Sequence, residues 1–287
     1  MAAGGLDGRI GGWFSRAMAV ISGLYVYPIK SCKGISCQEA ELAETGLRFD
    51  RHWAVIDRHG EFVTQRDLPR MALVTPRLEA DRLVLSAPGV AALALPLRHG
   101  TRRLEVRIWG DRCFGLDQGD EAARWLRAFL DRDLRLARFD DSAPRHRGAG
   151  HGAEQAASTE FADGYAILVL SEASLGELNG RLEKPVPMNR FRPNIVLAGV
   201  DAHDEDHFRA LEADGVELRL VKPCIRCQIT LTDQDTGEVG TEPLHTLASY
   251  RSHPKLGGVA FGQNAVIARG AGRKLHLGQA LEEVWNF

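Results

Sequence analysis

No long apolar run occurs in the chain. The longest, such as AALALPL at 91–97, stop far short of the roughly 18–20 residues that span a bilayer, so no transmembrane helix is expected. Net charge is nearly absent as well: 36 Lys and Arg against 38 Asp and Glu leave a formal −2, which excludes a global field aimed at nucleic acid or an anionic membrane. The N-terminus, MAAGGLDGRIGGWFSRAMAVISG, lacks the uninterrupted apolar core and cleavage site of a secretory leader. Cysteine is scarce and odd in number. Cys32, Cys37, Cys113, Cys224 and Cys227 argue against a disulfide framework and for a reducing, cytoplasmic setting. No internal repeat of about 20–50 residues is visible, which excludes solenoid and propeller arrays.

What is present reads as a globular, mainly β chain with a few helices (α+β). Of its 287 residues, 44% are hydrophobic and 26% charged, ordinary for a folded protein and long enough for two domains. From Ile21 to about Phe139, short alternating runs such as HWAVID, EFVTQ, RLVLSAP and RLEVRIWG predict antiparallel strands in a barrel or sandwich. One helix is predicted over 120–133, with Ala123, Trp125, Leu126, Phe129 and Leu130 forming its apolar stripe. Residues 140–160 carry no hydrophobic periodicity and predict an exposed linker or mobile loop. Beyond it come the strand YAILVL, a helix N-capped by Ser171, and the strands NIVLAG, VELRLV, CQITLT and NAVIA. The expected organisation is a flexible tail (1–17), a β-rich domain (18–140), a linker (141–160) and a second β domain (161–287).

Chemistry concentrates at VKPCIRCQITLT, 221–232, where Cys224 and Cys227 form a CxxC. Redox dithiols of the thioredoxin type open a helix, whereas the run after Cys227 alternates like a strand. A zinc site needs a second ligand pair, and no other CxxC exists. Two buried small hydrophobes would also account for the pair. The flanking cations Lys222 and Arg226 favour a third use, a single thiolate ligating a transition metal whose other ligands arrive with a cofactor.

Four further segments are candidates. In YPIKSCKG, Lys30 and Ser31 offer an ammonium and a hydroxyl to an anion, and Gly34 permits close backbone approach. RFDRHWAVID clusters Arg48, Arg51 and His52 ahead of Trp53. In MNRFRPNIVL, Arg190 and Arg192 are expected on one face entering a strand, with Asn194 offering a bidentate amide. The turn Ala162-Asp163-Gly164 and the segment Gly262-Gln263-Asn264 could present backbone N–H groups to a ligand. Each of these reads equally well as a polar turn or a surface ion pair.

Taken in order, YPIKSCKGI, GLRFDRHWAVID, FVTQRDLPRM, FADGYAILVLSEASLGELNGRL, FRPNIVLAG, VKPCIRCQITLTDQDTGEVGTEPLHTLASYR and FGQNAVIA resemble the MOSC (molybdenum cofactor sulfurase C-terminal) proteins. The likeness is to the subgroup containing the mitochondrial amidoxime-reducing component and the bacterial reductases of N-hydroxylated bases, and it covers about residues 21 to 280. It implies a β-rich N-terminal MOSC domain followed by a MOSC β-barrel, with a molybdenum cofactor (molybdopterin type) between them. It further implies Cys227 as the thiolate ligand to molybdenum and as the catalytic residue. The implied cofactor contacts are Lys30, Ser31, Arg51, Gly164, Tyr165, Arg192, Asn194, Ile225 and Arg226. Tyr165 stands where the mitochondrial members carry serine, and Asn264 where they carry an aromatic. The implied reaction is a two-electron reduction of N-hydroxylated compounds to amine or amidine plus water. Neither a ferredoxin-type C-x₄-C-x₂-C segment nor a membrane anchor is present, so electrons are expected from a separate ferredoxin, flavoprotein or cytochrome b5-like donor. A cofactor carrier or persulfide sulfur-transfer module is the alternative, and pyridoxal phosphate binding is a further family-level association.

Overall fold

The computed structural model describes residues 18–100, 102–143, 145–147 and 157–286. The expected tail, 1–17, and half of the expected linker, residues 144 and 148–156, lie outside the described residues. Among the described residues no helix is long and apolar enough to cross a membrane.

Alternating burial builds a closed seven-stranded barrel. Around it run Ile167–Ser171, Ile195–Ala198, Ala19–Val26, Ala280–Trp285, Phe208–Ala213, Val216–Ile225 and Gly258–Arg269, and the last pairs back onto the first. All neighbours are antiparallel except Ile167–Ser171 with Ile195–Ala198. That parallel pair requires a crossover, supplied by the helix Glu172–Arg181. Ser171 caps it as expected, its hydroxyl accepting from Ser174 N at 3.0 Å. The barrel interior is filled by Ile21, Leu24, Leu42, Val169, Leu197, Leu211, Leu218 and Leu281, all essentially without solvent contact.

Among the described residues, Glu39–Ala43 pairs with Gly46–Leu47 and with Lys274–His276, and the rest of the N-terminal half forms two smaller antiparallel sheets. One orders Trp53–Ile56, Arg135–Phe139, Asp111–Asp117 and Arg103–Ile108; the other joins Thr75–Leu78, Arg82–Ala87 and Val90–Pro96. The helix Gly119–Leu130 packs Ala122, Trp125, Leu126, Phe129 and Leu130 onto the second core. Ala122 rather than Ala123 completes the stripe. The first strand, Ala19–Val26, leaves this half in space and pairs within the barrel.

Three sequence expectations change. EFVTQ is not a strand: Glu61 and Phe62 make only isolated bridges to Arg107 and Ile56. CQITLT is not a strand either. Gln228–Leu231 closes a 3₁₀ turn, with Thr230 N bonded to Cys227 O and Thr232 N to Ile229 O, both at 3.1 Å. The turn is held from outside by Arg190, which donates to Thr230 O and Leu231 O at 2.9 Å each. Finally, the expected linker contains structure, since Arg145–Arg147 pairs antiparallel with Ala157–Thr159.

Candidate functional site

Between the barrel end and the N-terminal sheets lies a cavity of about 350 Å³. All ten site residues expected from the sequence line it: Lys30, Ser31, Arg51, Gly164, Tyr165, Arg192, Asn194, Ile225, Arg226 and Cys227. Cys224, Lys222 and Asn264 line it too, with Leu168, Phe191 and Ile229 as its apolar wall.

The thiols are delivered by the end of Val216–Ile225. Its pairing with Gly258–Arg269 is broken by irregularities between Leu220 and Lys222 and between Pro223 and Ile225, and such bulges re-aim side chains near sites. Asn264 clips the irregular stretch, donating to Lys222 O at 3.2 Å and Pro223 O at 3.4 Å. Gly262, also expected in a turn, lies instead within the continuous strand Gly258–Arg269 at φ +78°. A Cβ there would meet Val169 O at 2.8 Å, so glycine allows the barrel to close.

Each cysteine faces its own guanidinium. Arg226 Nη1 donates to Cys224 Sγ at 2.8 Å, and Arg66 Nη2 donates to Cys227 Sγ at 3.2 Å. Arg226 is anchored by its Nη2 on Phe191 O at 2.6 Å.

The turn following Ala19–Val26 presents Lys30 and Ser31. Lys30 N bonds Trp53 O at 2.8 Å, which ties the turn to the N-terminal sheet. Lys30 Nζ is buried and donates to Phe161 O at 2.7 Å and to Asp163 at 2.6 Å. Burial lowers the Lys30 pKa, with Asp163 opposing. Burial would raise the Asp163 carboxyl, yet Lys30, then Arg66 and the Trp109 indole hold it well below the usual carboxylate range. Ser31, Arg51 and Arg192 all adopt left-handed backbone conformations, at φ +66°, +52° and +57°. Non-glycine residues occupy that region sparingly, and such strain clusters at functional sites.

Arg51 and Arg192 both stack on the Tyr27 ring, 4.5 and 4.3 Å from its centroid. Burial pushes the Tyr27 phenol up to about 12 and brings the Arg192 guanidinium down to about 10. Buried Arg192 leaves Nη2 without a hydrogen-bond partner among the described residues, and Arg226 leaves Nε in the same condition. Asn194 does not offer a bidentate amide. Its Nδ2 is committed to Tyr25 O and Asp50, and its Oδ1 accepts from Leu168 N and Arg51 Nη1. It shapes the wall by holding Arg51.

Two expected groupings separate. Arg190 and Arg192 share no face, because Arg190 turns to the 3₁₀ segment while Arg192 lines the cavity. In RFDRHWAVID only Arg51 reaches the cavity; Arg48 pairs with Glu41 at the surface and His52 Nδ1 meets Glu160 at 2.6 Å. Sequence reasoning missed Gln65, Arg66, Arg145 and Gln234. Gln65 donates to Ser31 O at 2.8 Å and exchanges hydrogen bonds with Gln234, which accepts from Arg192 at 3.4 Å. Gln65 and Arg66 lie in FVTQRDLPRM, where polar residues beside a supposed strand were the available signal.

Comparison with known proteins gives two family matches, the MOSC N-terminal beta barrel domain over residues 18–133 and the MOSC domain over residues 156–282. The chain is 40% identical over 245 residues to mitochondrial amidoxime reducing component 2 of Bos taurus, covering 82% of this chain and 73% of that protein. It is also 40% identical over 269 residues to mitochondrial amidoxime-reducing component 1 of Homo sapiens, covering 87% and 79%.

Proposed function

Because the chain belongs to the MOSC family, we propose that it is a molybdenum-cofactor oxidoreductase that reduces N-hydroxylated compounds such as amidoximes, with electrons from a separate donor protein. The observation that carries this reading is the convergence, on one cavity, of a CxxC with Lys30, Arg51, Arg192, Lys222 and Arg226 in a chain of near-zero net charge. Such a donor set suits a ligand that is both anionic and thiophilic.

The unpartnered Arg192 Nη2 and Arg226 Nε fit an anion-bearing cofactor, since buried donors left unpaired are costly. Cys227 would hold the metal. Lys30, Ser31, Arg51, Arg192 and the Gly164-Tyr165 backbone would hold the pterin and its phosphate. When bound, the cofactor supplies the two-electron redox chemistry. The protein's own part is orientation and exclusion of water. Tyr27 carries two guanidinium groups on its ring, Asn194 and Asp50 lock Arg51 in place, and Leu168, Phe191 and Ile229 keep one wall dry.

The test is metal and pterin analysis of protein made in a cofactor-competent host, comparing wild type with Cys227→Ser and Cys224→Ser, together with reduction of benzamidoxime by an artificial electron donor. Loss of molybdenum-dependent reduction in Cys227→Ser, with a milder change in Cys224→Ser, is expected. Zinc in place of molybdenum, with equal loss from both substitutions, would sink the proposal. Molybdenum retained without reductase activity would point to a carrier.

A further inference from the structure

The sequence marks the two cysteines as a symmetric pair, but their surroundings differ. Cys224 is served by Arg226, two residues away, whereas the donor to Cys227 is Arg66, 161 residues earlier and in the N-terminal half. Arg66 is little exposed, with 13% of its side chain reaching solvent. Its guanidinium lies 4.7 Å over the Trp109 ring, donates to Thr64 Oγ1 at 3.4 Å, and comes within 3.7 Å of Asp163. Trp109 is itself held, although half exposed. Its Nε1 donates to Asp163 at 2.7 Å, Phe62 meets it edge-on at 5.2 Å, and its backbone sits at φ +54°. Arg66 thus meets the cavity at Cys227 Sγ, which is itself part of the lining.

Resting on the cofactor reading above, we infer that Arg66 is a positioning residue for Cys227, fixing the direction of the thiolate and withdrawing electron density from it. Outer hydrogen bonds to a ligating sulfur orient it and tune the metal's potential. A cationic N–H donor makes the sulfur a weaker electron donor, which favours the reduced metal. Trp109 contributes indirectly by holding the guanidinium over its ring while Nη2 reaches Sγ.

The test uses the cofactor-loaded protein and variants Arg66→Met, Arg66→Lys and Trp109→Leu, with molybdenum and pterin content, the molybdenum EPR spectrum and the midpoint potential as readouts. Arg66→Met is expected to move the midpoint to lower potential and to change the EPR spectrum. Arg66→Lys, which keeps the charge but not the fork, restores part of the shift, and Trp109→Leu gives a smaller shift of the same sign. Loaded Arg66→Met with an unchanged potential and spectrum overturns the inference and leaves the cofactor reading intact. Should Arg66→Met not fold, unchanged potentials in both other variants overturn it equally. A wild-type protein without molybdenum and pterin overturns both.

Discussion

Asn194 Nδ2 donates to Asp50 Oδ1 at 3.0 Å, joining residues 144 apart in sequence, and the same carboxylate oxygen accepts from Tyr27 N at 2.8 Å. Both side chains are buried. Through this contact the barrel strand Ile195–Ala198 and the turn carrying Arg51 are locked to the end of Ala19–Val26. Asn194→Ala would leave the Tyr25 carbonyl, the Leu168 amide and an oxygen of Asp50 short of partners. Each such group costs about 1–3 kcal/mol when buried, so a loss of roughly 2–4 kcal/mol after relaxation is expected in urea unfolding. Catalysis should fall as well, because Arg51 loses one of its acceptors. Stability within about 0.5 kcal/mol of wild type would refute this account.

Arg145 supports the loop beneath Lys30. Its Nη1 donates to Ala162 O at 2.7 Å and Glu160 O at 3.1 Å, its Nη2 meets Asp111 at 2.7 Å, and only 2% of the side chain is exposed. No single-point ammonium reproduces that fork. Arg145→Met should therefore cost about 2–4 kcal/mol, and hydrogen exchange should quicken over residues 160–164, which include three cavity residues. Unchanged protection there would contradict the role.

Cys113 predicts an alkaline limb of stability. Burial pushes its thiol from 9.0 up to about 11, with Asp111 adding to the rise and Arg145 and Lys30 opposing it. As pH rises past the unfolded value, the unfolded chain releases its proton before the folded one does. The contribution is thus full below about 9 and lost as pH rises through about 11. Buried Cys32, pushed up to about 12 with burial as the main cause, acts in the same direction. Thermal melts under reducing conditions should show Cys113→Ser losing less stability than wild type between roughly pH 8 and pH 11, by up to about 2 kcal/mol. Parallel decline in the two proteins would reject it.

Much of the fold was legible because its signals are local. The alternation in AVISGLYV and VELRLV and the capping Ser171 report which face is buried and where a helix begins, and neither depends on distant residues. CQITLT misled for a definable reason. Cys227, Ile229 and Leu231 alternate as a strand would, but Arg190 gathers the carbonyls of Thr230 and Leu231 and stabilises a 3₁₀ turn instead. Residues 140–160 misled similarly. They lack periodicity, yet one buried arginine within them makes hydrogen bonds that no pattern of apolar residues announces.

Residue chemistry by itself determined the candidate set: a CxxC flanked by cations, a Lys-Ser turn, and arginines whose planar forks suit anions. Those properties belong to side chains and survive in any fold. Only the tertiary structure decided which of them converge, because contacts such as Arg66 to Cys227 and Asn194 to Asp50 join partners more than 100 residues apart. It assigned Arg226 to Cys224 and Arg66 to Cys227, took Arg190 and His52 out of the cavity, and turned Asn194 from a ligand donor into a strut. The strained backbones of Ser31, Arg51 and Arg192 belong to the same category. Packing from both halves of the chain holds those conformations, and no local preference of serine or arginine would predict them.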